Sequence, residues 1–300
     1  MLIGDNFRLS RERWGILMVV SGLALAAFSG AIMKLLTDNF SPVLITWMRF
    51  LGCFLILFLI FFYRKTGLKC QPNLLLLNCL RGLLVAIGGT SFIYGVKTID
   101  YANAISILYV YPFFMIIFSP IALKEKVGWY SWLGVLVGFS GVVFVMQPDT
   151  RNLDINAIFI LISGLMVSFQ MLLNRKLGKI SDPFEVLFWS SLCVSVILFP
   201  FVAPVLNETF KVGFYLMIIL SILTISSQSL MIIGMSRVKA GNVAPFTYIE
   251  IIVAVIIGYL MFGTFPNFIG VVGIILIISS GVFVSQTRNY LSKKNKNFNY

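Results

Sequence analysis

Runs of about 20 apolar residues recur from one end of the chain to the other, separated by short polar or turn-forming stretches. Inside hydrocarbon every backbone N–H and C=O must find its partner within the chain. A run of this length meets that demand as one membrane-crossing helix. The composition agrees: of 300 residues, 59% are hydrophobic and only 11% charged, against about a quarter charged in a soluble domain. The fold class expected is an all-α, polytopic membrane protein, with the lipid bilayer as its first partner.

Ten spans are expected, at about 14–36, 43–63, 74–97, 103–123, 129–147, 156–177, 184–205, 212–234, 243–262 and 268–286. The connections carry turn formers, as in "NFSP", "KCQPN", "QPDTRN", "KISDP" and "GTFPN". None is long enough for a separate soluble domain. The first run, from Trp14, is long enough to span and reads as a transmembrane helix rather than a cleaved leader. Asn103 and Asn242 are expected to cap or break the starts of the fourth and ninth spans. Trp129, Tyr130 and Trp132 read as an interfacial belt.

Lysine and arginine orient the spans. With the amino terminus in the cytoplasm, only Lys34, Lys97, Arg151 and Lys211 fall on the outer side. Every other Lys or Arg falls inside, apart from Arg49 and Arg81 within spans. That bias follows the positive-inside rule. It supports ten spans with both termini cytoplasmic, and a place in the cytoplasmic (inner) membrane. The net charge of +12 is therefore a topology signal and not a nucleic-acid footprint. The basic tail "KKNKN" (293–297) is expected to meet water and anionic headgroups.

Histidine is absent and none of the four cysteines forms a CxxC. A metal site is not expected. Cys53, Cys79 and Cys193 read as small packing residues within spans, and Cys70 as a reduced thiol in a cytoplasmic loop. No cofactor is expected.

The chain also aligns with itself. "YGVKTIDYANAISILY" (94–109) lies over "IGMSRVKAGNVAPFTY" (233–248). At one fixed spacing Gly95 meets Gly234, Asn103 meets Asn242, Tyr109 meets Tyr248 and Gly134 meets Gly273. "SGLALAAFSGAIMK" (21–34) likewise lies over "SGLMVSFQMLLNRK" (163–176). Two halves are expected, 1–150 and 151–300. Five spans is an odd number, so the second copy would lie upside down relative to the first. Inverted repeats of this kind are a transporter signature, with the substrate site near the midplane between them.

These features resemble the drug/metabolite transporter superfamily, EamA type. The resemblance rests on Arg49 in "ITWMRF", on "GVKTIDYANAISILYVYPFF", and on "LKEKVGWYSWLGVLVGFSGVVFV" with Glu125. In the second half it rests on "SRVKAGNVAPFTYIE" and "FGTFPNFIGVVGIILIISSGVFV". The family often carries Glu where this chain has Thr264, the counterpart of Glu125. The second half also resembles the branch of S-adenosylmethionine- and riboflavin-uptake-like proteins.

Three ionisable residues lie well inside spans: Arg49, Arg81 and Glu250. A charge at the centre of a membrane helix costs about 2.5–3.5 kcal/mol, so such groups face a cavity or a partner. Arg81 and Glu250 each lie about 10 Å in from the cytoplasmic side at 1.5 Å per residue. Depth therefore favours Arg81 over Arg49 as the partner of Glu250, provided the third and ninth spans adjoin. Three readings of Glu250 stay open: a packing pair with Arg81, a carboxylate holding a cationic substrate group, or a proton-coupling site. Glu250 aligns with Tyr111 of the first half, so the two halves differ chemically at equivalent places. Further candidates are Gln170 and Asn174, one turn apart on the sixth span, Gln228 in the serine-rich eighth, and Tyr109, Tyr111 and Tyr248. Interhelical hydrogen bonding accounts for these as well as a substrate does.

The function expected is secondary transport of a small organic metabolite by alternating access, with proton coupling or substrate counter-exchange both open. No GxxxxGK[ST] is present for ATP. Export of amino acids or drug-like compounds on the same scaffold is the alternative. A membrane enzyme or a channel-type protein is a lesser one, since no cluster of reactive groups is present. Substrate identity and oligomeric state are not legible.

Overall fold

A computed structural model describes residues 2–64, 72–123, 128–146, 155–178, 180–203, 210–237 and 248–297. Within them the chain is helical throughout: α1 (Leu2–Leu36), α2 (Pro42–Arg64), α3 (Pro72–Val96), α4 (Tyr101–Leu108), α5 (Tyr111–Leu123), α6 (Trp129–Met146), α7 (Asn156–Leu177), α8 (Pro183–Val202), α9 (Phe210–Arg237), α10 (Ile249–Phe262) and α11 (Phe268–Asn297). Among the described residues seven stretches are long and apolar enough to cross a membrane, one of them running through α4 into α5. Three shorter apolar stretches lie in α6, α10 and α11. This is a multi-pass membrane architecture.

Local chemistry explains where the helices begin and end. Proline, whose missing N–H is harmless in a first turn, opens α2, α3 and α8. Ahead of α8 the Asp182 carboxylate accepts from Phe184 N at 2.8 Å. Asn267 does the same for α11, accepting from Gly270 N at 2.9 Å. Gly263, at φ 65°, closes α10 in the left-handed conformation that glycine adopts without penalty.

Two expectations need correction, on the fourth span and on Asn103. The fourth span is two helices, broken at Tyr109–Val110. Pro112 has no N–H to give the Leu108 carbonyl, and its ring crowds that position, so α4 stops there. Asn103 lies inside α4, where Asp100 takes the capping position; Asn242 lies outside the described residues. α1 begins well before Trp14, and α11 carries the chain through the basic tail to Asn297. Glu125 and Cys70 also lie outside the described residues, as does 243–247 of the expected ninth span.

Packing joins the two halves of the chain. α1 lies on α9 and α3 on α7; α2 lies on α8 and α6 on α11. α3 also meets α8, α2 also meets α9, and α10 packs against α1 and α4. Glycines let these backbones approach. A β-carbon at Gly95 would collide with Ile160 and crowd the Asn156 carbonyl of α7. One at Gly234 would collide with Val19 and the Gly15 carbonyl of α1. On the other pair of helices, Gly134 abuts Val284 and Ser280, while Gly273 abuts Val145 and Gly141. At the end of α1, Lys34 Nζ donates to the carbonyls of Val96 (3.1 Å) and Ile99 (2.6 Å), tying α1 to the turn after α3. Large apolar side chains such as Phe62, Leu136, Phe201 and Leu260 stay exposed on the outside of the bundle, where lipid would cover them.

One contact gives a direct check on the α3–α8 packing. Cys79 Sγ and Cys193 Sγ lie 2.9 Å apart and both are free thiols. A mild oxidant is expected to join them in an intramolecular disulfide, read by mass spectrometry after alkylation. Full alkylation of both thiols after oxidation would place α3 and α8 elsewhere.

Candidate functional site

A cavity of about 150 Å³ lies inside the bundle. Its wall comes from α1, α2, α3, α4, α7, α9 and α10. Most of the lining is apolar or small. The polar groups are Ser29, Arg49, Arg81, Ser163, Gln170, Thr224, Ser227, Gln228 and Glu250. All three intramembrane charges therefore face one space.

Arg81 is 1% exposed, yet its guanidinium is well supplied. Nε donates to Asn174 Oδ1 at 2.7 Å, Nη1 to Ser190 Oγ at 2.6 Å and Nη2 to Gln228 Oε1 at 3.0 Å. Gln170 Nε2 reaches the same Gln228 oxygen at 3.5 Å. One arginine thus binds α3, α7, α8 and α9 together through neutral acceptors. Such charge-assisted bonds are the stronger kind.

Glu250 stands in the first turn of α10. A helix start offers unpaired N–H groups and the positive end of the helix dipole, which suit a carboxylate. The Tyr109 hydroxyl donates to Glu250 Oε2 at 2.9 Å. Among the described residues no ion pair joins Glu250 to Arg81. The packing explains why: α3 lies against α7 and α8, and α10 against α1 and α4.

The three tyrosines pack on one another beside the cavity. The rings of Tyr109 and Tyr248 are 5.5 Å apart, and those of Tyr109 and Tyr111 5.2 Å. All three are buried. Tyr109 directly follows α4, and Tyr248 directly precedes α10. The repeat-matched tyrosines thus meet at a tilt, one after the end of α4 and the other before the start of α10. Asn174 is set back behind Arg81, while Gln170, Gln228 and Arg49 reach the cavity wall.

Arg49 differs from Arg81. Its Nη1 meets the Met33 sulfur at 2.9 Å, and its guanidinium lies 4.5 Å from the centre of the Phe50 ring. Its Nε is buried without a hydrogen-bond partner. Ser190 and Ser29 carry roles that sequence reading missed. A lone serine in an apolar helix gives no signal separating an arginine acceptor from an ordinary helix-bonded hydroxyl.

The EamA-like transporter family profile matches residues 13–147 and, a second time, 155–286. The chain belongs to the EamA-like transporter family. It is similar to the S-adenosylmethionine uptake transporter of Rickettsia prowazekii (strain Madrid E), at 24% identity over 93% of this chain and 95% of that protein. It is similar as well to the riboflavin transporter of Rhizobium johnstonii, at 26% identity over 72% and 71%. An uncharacterized transporter of Helicobacter pylori (strain 26695) matches at 25% identity over 91% and 94%. A solved crystal structure superposes with a TM-score of 0.66 at 15% identity, covering 94% of this chain and 98% of that one; at that identity the likeness concerns the fold. This EamA-family transporter therefore places a buried, charged cavity inside a family scaffold.

Proposed function

We propose that this EamA-family chain is a secondary transporter carrying a small organic metabolite by alternating access around the central cavity. The observation that carries the reading is the cavity itself. It lies among the helices of the bundle, is built by helices from both halves of the chain, and is lined by Arg49, Arg81 and Glu250. Charges of this kind inside a membrane protein mark a pathway for polar cargo.

The two halves, 1–150 and 151–300, are read as inverted repeats of five spans each, both termini in the cytoplasm of an inner-membrane protein. Support comes from neighbours that exchange between halves. Gly134 and Gly273 are partners in the repeat, and so are the residues they abut: Ser280 and Val284 answer to Gly141 and Val145 at the same spacing. Gly95 against α7 likewise mirrors Gly234 against α1, each abutting two residues four positions apart. Tyr109 and Tyr248, partners in the repeat, also meet as a pair. The helix interruption at Tyr109–Val110 and the start of α10 at Ile249, with Glu250 in its first turn, are of the type that forms substrate sites in inverted-repeat transporters. Rocking of one half against the other would open the cavity to each side in turn.

Uptake in transport-deficient cells tests the reading. The cargo named for the relatives, S-adenosylmethionine and riboflavin, head an untargeted metabolite panel. Accumulation of at least one compound above the empty-vector control is expected, driven without ATP hydrolysis by the protein. Identical metabolite profiles with and without the protein would contradict it.

A further inference from the structure

Three charged side chains face one cavity, and only one of them lacks acceptors. Arg81 gives three of its five N–H donors, one from each nitrogen, to Asn174, Ser190 and Gln228. Glu250 receives the Tyr109 hydroxyl. Arg49 has the thioether of Met33, a weak acceptor, and lies over the ring of its own neighbour Phe50, which accepts no conventional hydrogen bond. Its Nε has no partner, and neither does Ser29 Oγ on α1. Of the buried side-chain atoms without a partner among the described residues, those two belong to residues lining the cavity.

A guanidinium stays charged throughout the accessible pH range and offers five N–H donors in a planar fork. Holding it in a low-dielectric interior without acceptors is costly. The missing acceptors must come from something entering the cavity. An oxyanion fits the fork through two parallel hydrogen bonds, and the Ser29 hydroxyl adds a third donor. Charge points the same way. With Arg49, Arg81 and Glu250 ionised, the lining carries one net positive charge, which one oxyanion balances.

We infer that Arg49, with Ser29, anchors an oxyanion group of the transported molecule, and that Arg81 is a positioning residue that does not touch it. This rests on the transporter reading above and narrows the cargo to molecules bearing a carboxylate- or phosphate-type group.

The test is thermal unfolding of the purified full-length chain in detergent, for wild type, Arg49→Gln, Ser29→Ala and Arg81→Gln. Without added compounds, Arg49→Gln is expected to melt at or above wild type, because it removes an ill-satisfied charge. Arg81→Gln is expected to melt several degrees lower. A panel of small carboxylates, phosphate monoesters, amines and neutral solutes is then added. Stabilisers of wild type are expected to carry an oxyanion, and the carboxylate and phosphate arms tell the two classes apart. Arg49→Gln is expected to weaken their binding tenfold or more, and Ser29→Ala severalfold. Three results would overturn the assignment: ligand-free Arg49→Gln unfolding as early as Arg81→Gln or failing to fold, no oxyanion stabilising wild type, or a stabiliser without an anionic group that binds Arg49→Gln unchanged. Transport of a neutral or cationic compound, unaffected by Arg49→Gln, would sink the oxyanion anchor and leave the transporter reading standing. Oxyanion binding lost in Arg49→Gln, with no exchange in proteoliposomes, would do the reverse.

Discussion

Arg81→Met is expected to cost about 2–6 kcal/mol of folding stability, the sum for two buried neutral acceptors that lose their donor. The arginine does more than place a charge. It holds Asn174 of α7, Ser190 of α8 and Gln228 of α9 to α3 through three separate bonds. Methionine fills much of the same space but leaves the Asn174 and Gln228 oxygens facing an apolar chain. A buried acceptor stripped of its donor costs about 1–3 kcal/mol. Ser190 suffers less, since its hydroxyl also donates to the Val186 carbonyl at 2.7 Å. The check is the unfolding midpoint and the yield of monodisperse protein from size-exclusion chromatography. A variant as stable as wild type would mean that these bonds do not hold the four helices together.

Glu250→Gln is expected to separate function from folding. Glutamine is nearly isosteric, and its carbonyl oxygen still accepts from Tyr109. Stability is therefore expected to change by less than about 1 kcal/mol, in the range of a conserved hydrogen bond. Transport is expected to fall by tenfold or more, because the one acidic group that lines the cavity among the described residues is gone. Both functional readings of Glu250 share that outcome: holding a positively charged or N–H group of the cargo, or carrying a coupled proton. A folded variant with wild-type transport would remove both.

The membrane architecture was legible because apolar runs of spanning length have few other ways to satisfy their backbone. The break in the fourth span was not read from the sequence, although its cause stands in the "VYPFF" stretch. Pro112 denies Leu108 its hydrogen bond, but the unbroken run of apolar side chains masks it. The site was legible as a set of residues and not as a set of contacts. Arg49, Arg81 and Glu250 stand out because charge is rare within spans. Depth along a helix says how far each one lies from the surface, but not which helices touch. Arg81 and Glu250 are expected at one depth from their places along the spans, yet α3 faces α7 and α8 while α10 faces α1 and α4. The acceptors of Arg81 are therefore neutral groups on other helices. The repeat carried the most structural information. It matched Tyr109 with Tyr248, and those two rings meet.

Counterflow in proteoliposomes bears most directly on the central claim, that cargo is carried through the central cavity that Glu250 lines. Purified wild type and Glu250→Gln are reconstituted and loaded with unlabelled compound, and entry of the labelled compound is followed without ATP or ion gradients. Labelled S-adenosylmethionine and riboflavin are tried first, then the compounds that accumulate in the cell screen. Wild type is expected to show a transient overshoot that depends on the internal compound and saturates with the external one, and Glu250→Gln to show a tenfold smaller one. No substrate-specific exchange across the panel, or equal exchange by the two proteins, would contradict the account.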